Sequence, residues 1–399
     1  MDRVMRVALV APSNVGKTSF LTALRQQLSR CVSRPISEAP LAFEFTDLAQ
    51  DSFLNQNLRL LYENKRLEGT TGVVTYPLKI SVRNGDGIVN AIELVDFEGK
   101  HLQGAGTDVE HSLKTLANCD AFIILIDADH ASENGDYFEH LIASAKIAET
   151  LEKMLLAKKN SGYAIHGVPF MFAISKFDLI KDNSDLIAQL HANIREAFKG
   201  CFGDQHGAVT MLSHVSVGTN IDGSVPGIRG TYKPVNIMLT FLLTTAIGIL
   251  SGAKARNIQK SMLDDPKRRA VDFHKQEVDA AQRAQNSVDS WDRNDIIGKT
   301  IMWFDESGSQ RRERLIRYQQ DERKARDKVD EWNRKIAAED KASKELQFIG
   351  QAMLQQLNKD DLNGNEAQVI IQKLGMRQKI DYTALSDGES PLRRWDDNG

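Results

Sequence analysis

Hydrophobic and polar positions change their rhythm once along this chain, near Gly252. Before that point, short apolar runs alternate with longer amphipathic stretches, the strand-helix alternation of a parallel sheet covered by helices. The runs predict strands at about 4–10, 73–82, 88–96, 121–127, 168–174 and 209–215, and helices at about 17–30, 107–118, 136–158, 184–199 and 235–251. After Gly252 roughly 37% of the residues are charged, against about 20% before it, and the strand rhythm disappears. There a 3-4 spacing of Leu315, Tyr318, Ala325, Val329, Trp332, Ile336, Leu346 and Met353 predicts a long helix with a coiled-coil-like seam, interrupted at Glu322, Glu339 and Ser343. Ala270 to Trp291 has similar spacing, and Gly298, Ser307 and Gly308 between the two arms would turn the chain into a helical hairpin. The expected organisation is an α/β domain over 1–252 with a mostly parallel central sheet, a helical domain over 253–386, and a loose polar tail over 387–399.

Two apolar segments qualify this picture. Val235 to Ile249 is strongly apolar, but it is short for a membrane span and contains Asn236 and several threonines, so a core-packed helix is expected. Ile296 to Phe304, at the hairpin tip, reads either as satellite core or as an apolar docking patch for a membrane or a protein, which leaves peripheral membrane contact open. Composition is otherwise that of an ordinary globular protein with a core: 399 residues, 41% hydrophobic and 26% charged. A net charge of -3 gives no global attraction for nucleic acid, which is therefore not the expected partner. Cys31, Cys119 and Cys201 are widely spaced without a C-x-x-C pair, and the histidines show no H-x-x-x-H grouping, so neither a disulfide framework nor a zinc site is expected. A reducing cytoplasm fits this usage, as does an N-terminus that enters a strand without the apolar segment of a secretory signal.

The chemistry is concentrated at strand ends. Ala11-Pro12-Ser13-Asn14-Val15-Gly16-Lys17-Thr18 follows the apolar run Val7 to Val10 and reads as a phosphate-binding loop, with Ala11 where the pattern opens with Gly. Backbone N–H groups of the loop and helix start, Ser13 to Ser19, would cradle a polyphosphate. Lys17 would reach the outer phosphates, and the Thr18 hydroxyl would ligate Mg²⁺. Ile92 to Gly99 is an apolar strand ending in D-x-x-G, where Asp96 can hold Mg²⁺ through water and the Gly99 N–H can sense a γ-phosphate. Pro169 to Ile174 runs into Ser175-Lys176-Phe177-Asp178. A carboxylate at Asp178 could accept both the N1–H and the exocyclic amine of guanine, a donor pair that adenine lacks, which argues for GTP over ATP. Asp127, at the end of another apolar strand, is read as structural because Asp96 already supplies the Mg²⁺-linked group.

With these motifs in hand, residues 4–251 resemble the GTPases of the translation-factor-related (TRAFAC) class, which includes Ras-like, Era-like and dynamin-like proteins. The motif order carries the resemblance: G-K-T, a Thr pair, D-x-x-G, then [NTS]-K-x-D. It implies a phosphate and Mg²⁺ site at Lys17 and Thr18, a second switch at Asp96 and Gly99, and a guanine site at Lys176 and Asp178. Ser175 stands where the family usually has Asn or Thr. The family's switch threonine, which ligates Mg²⁺ and closes on the γ-phosphate, is best matched by Thr71, with Thr70 as the alternative. Ser216-Val217-Gly218 follows the last strand where a base-contacting loop is expected.

The resemblance implies slow GTP hydrolysis to GDP and phosphate by in-line attack of water. Ras-like members carry a Gln directly after D-x-x-G, whereas this chain has Lys100 and then His101, so His101 joins the candidates around the reaction. The missing group could come from an activating partner as an arginine finger, or Asn14 could recruit K⁺, as the matching Asn does in Era-like relatives. The expected role is a nucleotide-dependent switch that signals to a protein effector through its helical region. A dynamin-like membrane-associated GTPase and a non-catalytic GTP-binding assembly scaffold are the alternatives, and self-association stays open. The insertion between Cys31 and Thr70, whose Phe53 to Leu67 part reads as helical, is a natural outlet for the signal.

Overall fold

A computed structural model of the chain describes residues 4–12, 14–31, 33–35, 39–67, 73–83, 89–97, 115–133, 137, 168–199, 201, 208–221, 229–293, 307–360, 369–373, 376–380 and 392–394. The sheet is built around β1 (Met5–Val10), which pairs in parallel with β4 (Val89–Phe97) on one side and β5 (Ala121–Asp127) on the other. β6 (Val168–Ser175) and β7 (Ala208–His214) extend the parallel array beyond β5. β5 is buried at every residue, which is why it reads as an apolar run rather than as an alternating pattern; β7 is equally buried although it carries Thr210, Ser213 and His214. Antiparallel strands close both flanks. β3 (Val73–Val82) pairs with β4, and β2 (Leu41–Phe45) with β3. On the other flank β10 (Val369–Lys373), β11 (Met376–Ile380) and β12 (Leu392–Arg394) follow β7, making a ten-stranded sheet among the described residues.

Alternation along each strand sends side chains to opposite faces, and a separate core forms on each. Val7, Leu9, Ile123 and Met171 face one core with Leu21, Leu24 and Phe241; Ala8, Val10, Phe122 and Phe172 face the other with Ile194 and Phe198. The covering helices include α1 (Lys17–Cys31), α2 (Leu48–Tyr62), the short α3 (Ala128–Glu133) and α4 (Ser184–Ala197). Two starts are capped by side chains, Asp47 accepting from the Ala49 and Gln50 N–H groups before α2 and Asn183 from the Leu186 N–H before α4.

Four expectations meet their structure here. β2 lies in the stretch read as an insertion, and its helix is Leu48–Tyr62 rather than 53–67. Of the helix expected at 107–118 only 115–118 is described, with 115–117 helical and 118 in a turn; the one expected at 136–158 lies outside the described residues except for 137. The helix expected at 235–251 continues without a break as α5 (Ile237–Arg293), because Gly252 has ordinary helical surroundings, in which a Cβ would only touch Leu346 at 4.0 Å. Its apolar start is core: Ile237, Phe241, Leu242, Leu243, Ala246 and Ile247 are buried, although the helix is long and apolar enough to cross a membrane by length and composition. The threonines there are satisfied, Thr244 and Thr245 donating within the helix to the carbonyls of Thr240 and Phe241 and the Thr240 hydroxyl meeting Ser213 of β7 at 2.8 Å.

The chain forms two compact units, residues 1–255 with 345–399, and residues 256–344. The second is an antiparallel pair of helical stretches from α5 and α6 (Gly308–Asp360). Its seam runs through Ala281, Ala284 and Val288 on α5 and Ala325 on α6, all buried. Glu339, which interrupts the apolar spacing, receives Arg256 from the facing helix at 3.1 Å, and the neighbouring Asp340 receives Lys260. Hydrogen bonds from Lys260 and then Lys344 hold the Asp340 carboxyl down at about 2. Ser343, which also interrupts the spacing, is buried, and the tip segment 296–304 lies outside the described residues. Arg283, Arg311 and Arg314 line a cavity of about 240 Å³ in the arm with Ser287 and Tyr318.

Candidate functional site

Five parallel strands end at one edge of the sheet, and in such sheets the carboxyl edge is where ligands bind. β1 runs out at Val10 into the phosphate-loop sequence, which turns through Asn14 (φ 67°) and Gly16 (φ 94°) into the N-terminus of α1. Positive φ is cheap for Gly and tolerated by Asn, so this sequence can make the tight turn that aims backbone N–H groups outward. α1 has no acidic residue in its first turn, which leaves the positive end of its dipole for an anion.

The neighbouring strand supplies the counter-charge. Leu9 of β1 lies opposite Asp96 of β4, and the Lys17 ammonium sits 3.1 Å from the Asp96 carboxylate with both side chains buried. Thr18 is buried beside them and Ser19 is half-buried. The Ser175 hydroxyl, at the end of β6, donates to the Val15 carbonyl at 2.9 Å and lies 3.1 Å from the Ile126 carbonyl. It therefore ties the phosphate loop to β5, a structural duty beyond any contact with a base.

Beyond Ser175, Lys176 adopts the left-handed conformation (φ 54°) and starts a 3-10 turn over Phe177–Leu179. Its ammonium is fixed at 2.8 Å by the buried Asp127 carboxylate. Sequence reasoning gave Asp127 no partner; the register that sets Asp127 opposite Ser175 is the missing information. Asp178, in the same turn, accepts from the Ser216 hydroxyl at 2.5 Å, and Ser216 Oγ accepts in turn from the Gly218 N–H at 3.1 Å. Ser216 begins β8 (Ser216–Thr219), which pairs with β9 (Thr231–Val235) through a bulge between Ser216 and Gly218. Only glycine fits at 218: its φ is 137°, and a Cβ would come within 2.0 Å of the Thr231 carbonyl oxygen. Ser216 and Gly218 thus join the Asp178 turn, with Val217 half-buried between them.

Behind this turn lies a feature no motif announces. The Phe177 ring stacks on His214 at 3.9 Å and 2°, and His214 meets His191 of α4 with their Nε2 atoms 2.9 Å apart. One imidazole donates and the other accepts, which requires the accepting ring to be neutral. Burial holds each down at about 4, with the Arg195 charge adding to the effect at His191 and His191 itself at His214. A further contact reaches the phosphate loop from outside: the Arg66 guanidinium donates to Asn14 Oδ1 at 3.2 Å.

The site residues Ser13, Thr70, Thr71, Gly99 and His101 lie outside the described residues. What is described is where their segments leave the sheet: Val73 and Phe97 are paired at the ends of β3 and β4, so the two candidate switches depart from adjacent strands. The structure brings Asn14 to Thr18, Asp96 and Ser175 together around one loop, and Lys176, Asp178 and Ser216 around the next.

No protein-family model and no curated protein matches this chain. Among solved structures, the chain is similar to the signal recognition particle receptor SRβ–GTP/SRX complex from Chaetomium thermophilum, with 17% identity, a TM-score of 0.31, and coverage of 57% of this chain and 95% of that one. It is also similar to the small COPII coat GTPase SAR1 from Encephalitozoon cuniculi in complex with GDP, at 13% identity and a TM-score of 0.27, covering 57% of this chain and 75% of that one. A third likeness is to LeoA, a bacterial dynamin GTPase from ETEC, at 14% identity and a TM-score of 0.26. It covers 89% of this chain, which spans 63% of LeoA's length.

Two outcomes follow from the geometry. Removing one member of a buried ion pair leaves the other charge exposed to a poor solvent, so Asp96→Ala is expected to lower stability by about 3 kcal/mol, with the Lys17→Met/Asp96→Ala double variant losing less than the sum of its parts. Urea denaturation followed by circular dichroism measures this, and additive losses would mean that the two charges are independent. The second outcome concerns pH. Because His191 and His214 titrate near 4 when folded and near 6.5 when unfolded, the unfolded chain binds more protons in that window. Their contribution is complete above about pH 6.5 and is lost as pH falls towards 4. The thermal midpoint should therefore drop across this range less steeply in His191→Gln than in the parent.

Proposed function

We propose that this chain binds GTP and GDP with Mg²⁺ at the carboxyl edge of the sheet and hydrolyses GTP, acting as a nucleotide-dependent switch whose output passes through the helical arm. The observation that carries the reading is convergence. The phosphate loop, the Asp of D-x-x-G and the Ser-Lys-x-Asp turn are far apart in sequence, yet they stand at the ends of β1, β4 and β6, with Lys17 against Asp96 and Ser175 against Val15.

The donor set suits the metal. The Thr18 hydroxyl and the Asp96 carboxylate are hard oxygen donors next to a loop shaped for phosphate, the mixture in which Mg²⁺ is held by one or two protein oxygens with water and phosphate oxygens. When bound, Mg²⁺ neutralises charge that grows on the phosphates during transfer. The protein's own groups do the rest. Lys17 turns from Asp96 to the outer phosphates, and the N–H groups from Asn14 to Thr18 hold the polyphosphate. Asp178, oriented by Ser216, accepts from guanine N1–H and the exocyclic amine, while Asp127 fixes the Lys176 stem alongside. Water attacks the γ-phosphorus in line with the bond to the β-phosphate oxygen. That bond breaks with its electron pair on GDP, and one proton is released with inorganic phosphate. Thr71 and Gly99 are proposed to close on the γ-phosphate, and His101 to stand near the attacking water. Segments leaving paired strands β3 and β4 can order together around one phosphate group, which supplies the two-state element of a switch.

Phosphate release and base preference test the reading together. The parent should hydrolyse GTP, Lys17→Ala should abolish measurable turnover, and Asp178→Asn should move preference from guanosine to xanthosine triphosphate by about tenfold or more, because an amide donor suits the extra carbonyl of xanthine. Equal turnover of GTP and ATP by the parent would contradict the guanine assignment.

A further inference from the structure

We propose that Arg66 is a built-in cationic group for the phosphates, carried on this chain rather than delivered by a partner. The inference rests on reading the carboxyl edge as a GTP site and adds to it a residue that no motif marks.

The arrangement starts at the end of α2. Its last turn closes with the Lys65 N–H bonded to the Leu60 carbonyl at 2.9 Å and the Asn64 N–H to that of Leu61 at 3.2 Å, while Asn64 adopts φ 54°. This is the left-handed helix stop that reverses chain direction at a defined residue. The stop is anchored. Gln26 of α1 donates to the Tyr62 hydroxyl and accepts from the Tyr232 hydroxyl at 2.8 Å, and the two tyrosine rings meet edge to face at 5.0 Å. Gly230 lets Asn64 come close, since a Cβ there would lie 2.3 Å from Asn64 Oδ1. α1 thus holds both ends of the arrangement: its N-terminus follows the phosphate loop, and its Gln26 fixes the end of α2.

The next residues leave that anchor and cross to the loop, where the Arg66 guanidinium donates to Asn14 Oδ1. Asn14 is itself fixed in the left-handed region, two residues before Gly16. The loop therefore carries two cations of different kinds. Lys17 is buried and neutralised by Asp96; Arg66 is exposed, and its partner on the loop is a neutral amide oxygen. A planar guanidinium can keep that amide bond with one nitrogen and offer others to phosphate oxygens. As the bond between the γ-phosphorus and the β-phosphate oxygen breaks, the electron pair left on that oxygen is met by hydrogen bonds from Arg66, with no proton transferred. The same contact occupies the Asn14 oxygen that could otherwise ligate K⁺, so turnover should be indifferent to K⁺.

The test uses the full chain with GDP, GTP and aluminium fluoride, whose GDP complex imitates the transferring phosphoryl group. Arg66→Ala should lower kcat for GTP by about 100-fold or more, leave KM and GDP affinity within about threefold, and abolish formation of the GDP–aluminium fluoride complex. Arg66→Lys should recover only a small part of the rate, because an ammonium cannot bridge an amide and a phosphate in one plane. Parental turnover should agree within about twofold in K⁺ and Na⁺. Full turnover by Arg66→Ala, or a large K⁺ activation of the parent, overturns the role of Arg66 and leaves the GTP site standing. A parent that binds no GDP overturns the GTP site, and the role of Arg66 with it.

Discussion

A lysine ammonium withdrawn from water requires a negative charge within a few ångströms, and Lys17 meets that requirement through Asp96 at 3.1 Å. The arrangement of the carboxyl edge depends on this pair. For Asp96 to stand there, β4 must lie parallel to β1 with Asp96 opposite Leu9, and β3 must return antiparallel beside β4. The ion pair joins the loop that would hold phosphate to the strand end that would hold a metal. Under the proposed reading both partners exchange together: phosphate becomes the counter-charge of Lys17, and a hard cation that of Asp96. The Ser175 hydroxyl makes the matching link on the other side, from the loop to β5.

How much of this could be read in the sequence depended on whether the signal was contiguous. β5 and β6 are legible because burial on both faces leaves unbroken apolar runs, and the phosphate loop because its eight residues are consecutive. β2 is not, since Leu41–Phe45 is short and carries Glu44 among its apolar residues. The length of α5 is hidden by Gly252, which looks like punctuation although the helix passes it and, further on, Pro266. In the arm, Glu339 looks like a defect in an apolar seam, but its partner is Arg256, on the other helix. The site divides in the same way. Lys17, Asp96 and Asp178 announce themselves through local motifs, whereas Lys176 on Asp127, His191 on His214 and Arg66 on Asn14 are contacts between distant segments that only the fold creates.

Rigidity and change are distributed unevenly around the edge. The turn proposed to read the base is held by Ser216 on Asp178, by the Phe177 stack on His214, and by a bulge that admits only glycine at 218. On the side proposed for the γ-phosphate, the described ends of β3 and β4, Val73 and Phe97, are paired. A ligand shifts an equilibrium only through contacts that differ between states. Under the proposed reading, a held base turn and two segments departing from adjacent strands would concentrate those differences at the third phosphate.

Isothermal titration calorimetry of the full chain with GDP and with ADP, each in the presence of Mg²⁺, tests the central claim most directly. The account predicts saturable one-to-one binding of GDP, tighter than ADP by about 100-fold or more, because Asp178 has two donors to accept from guanine and no such pair from adenine. Indistinguishable affinities, or the absence of GDP binding by a folded chain, would contradict it.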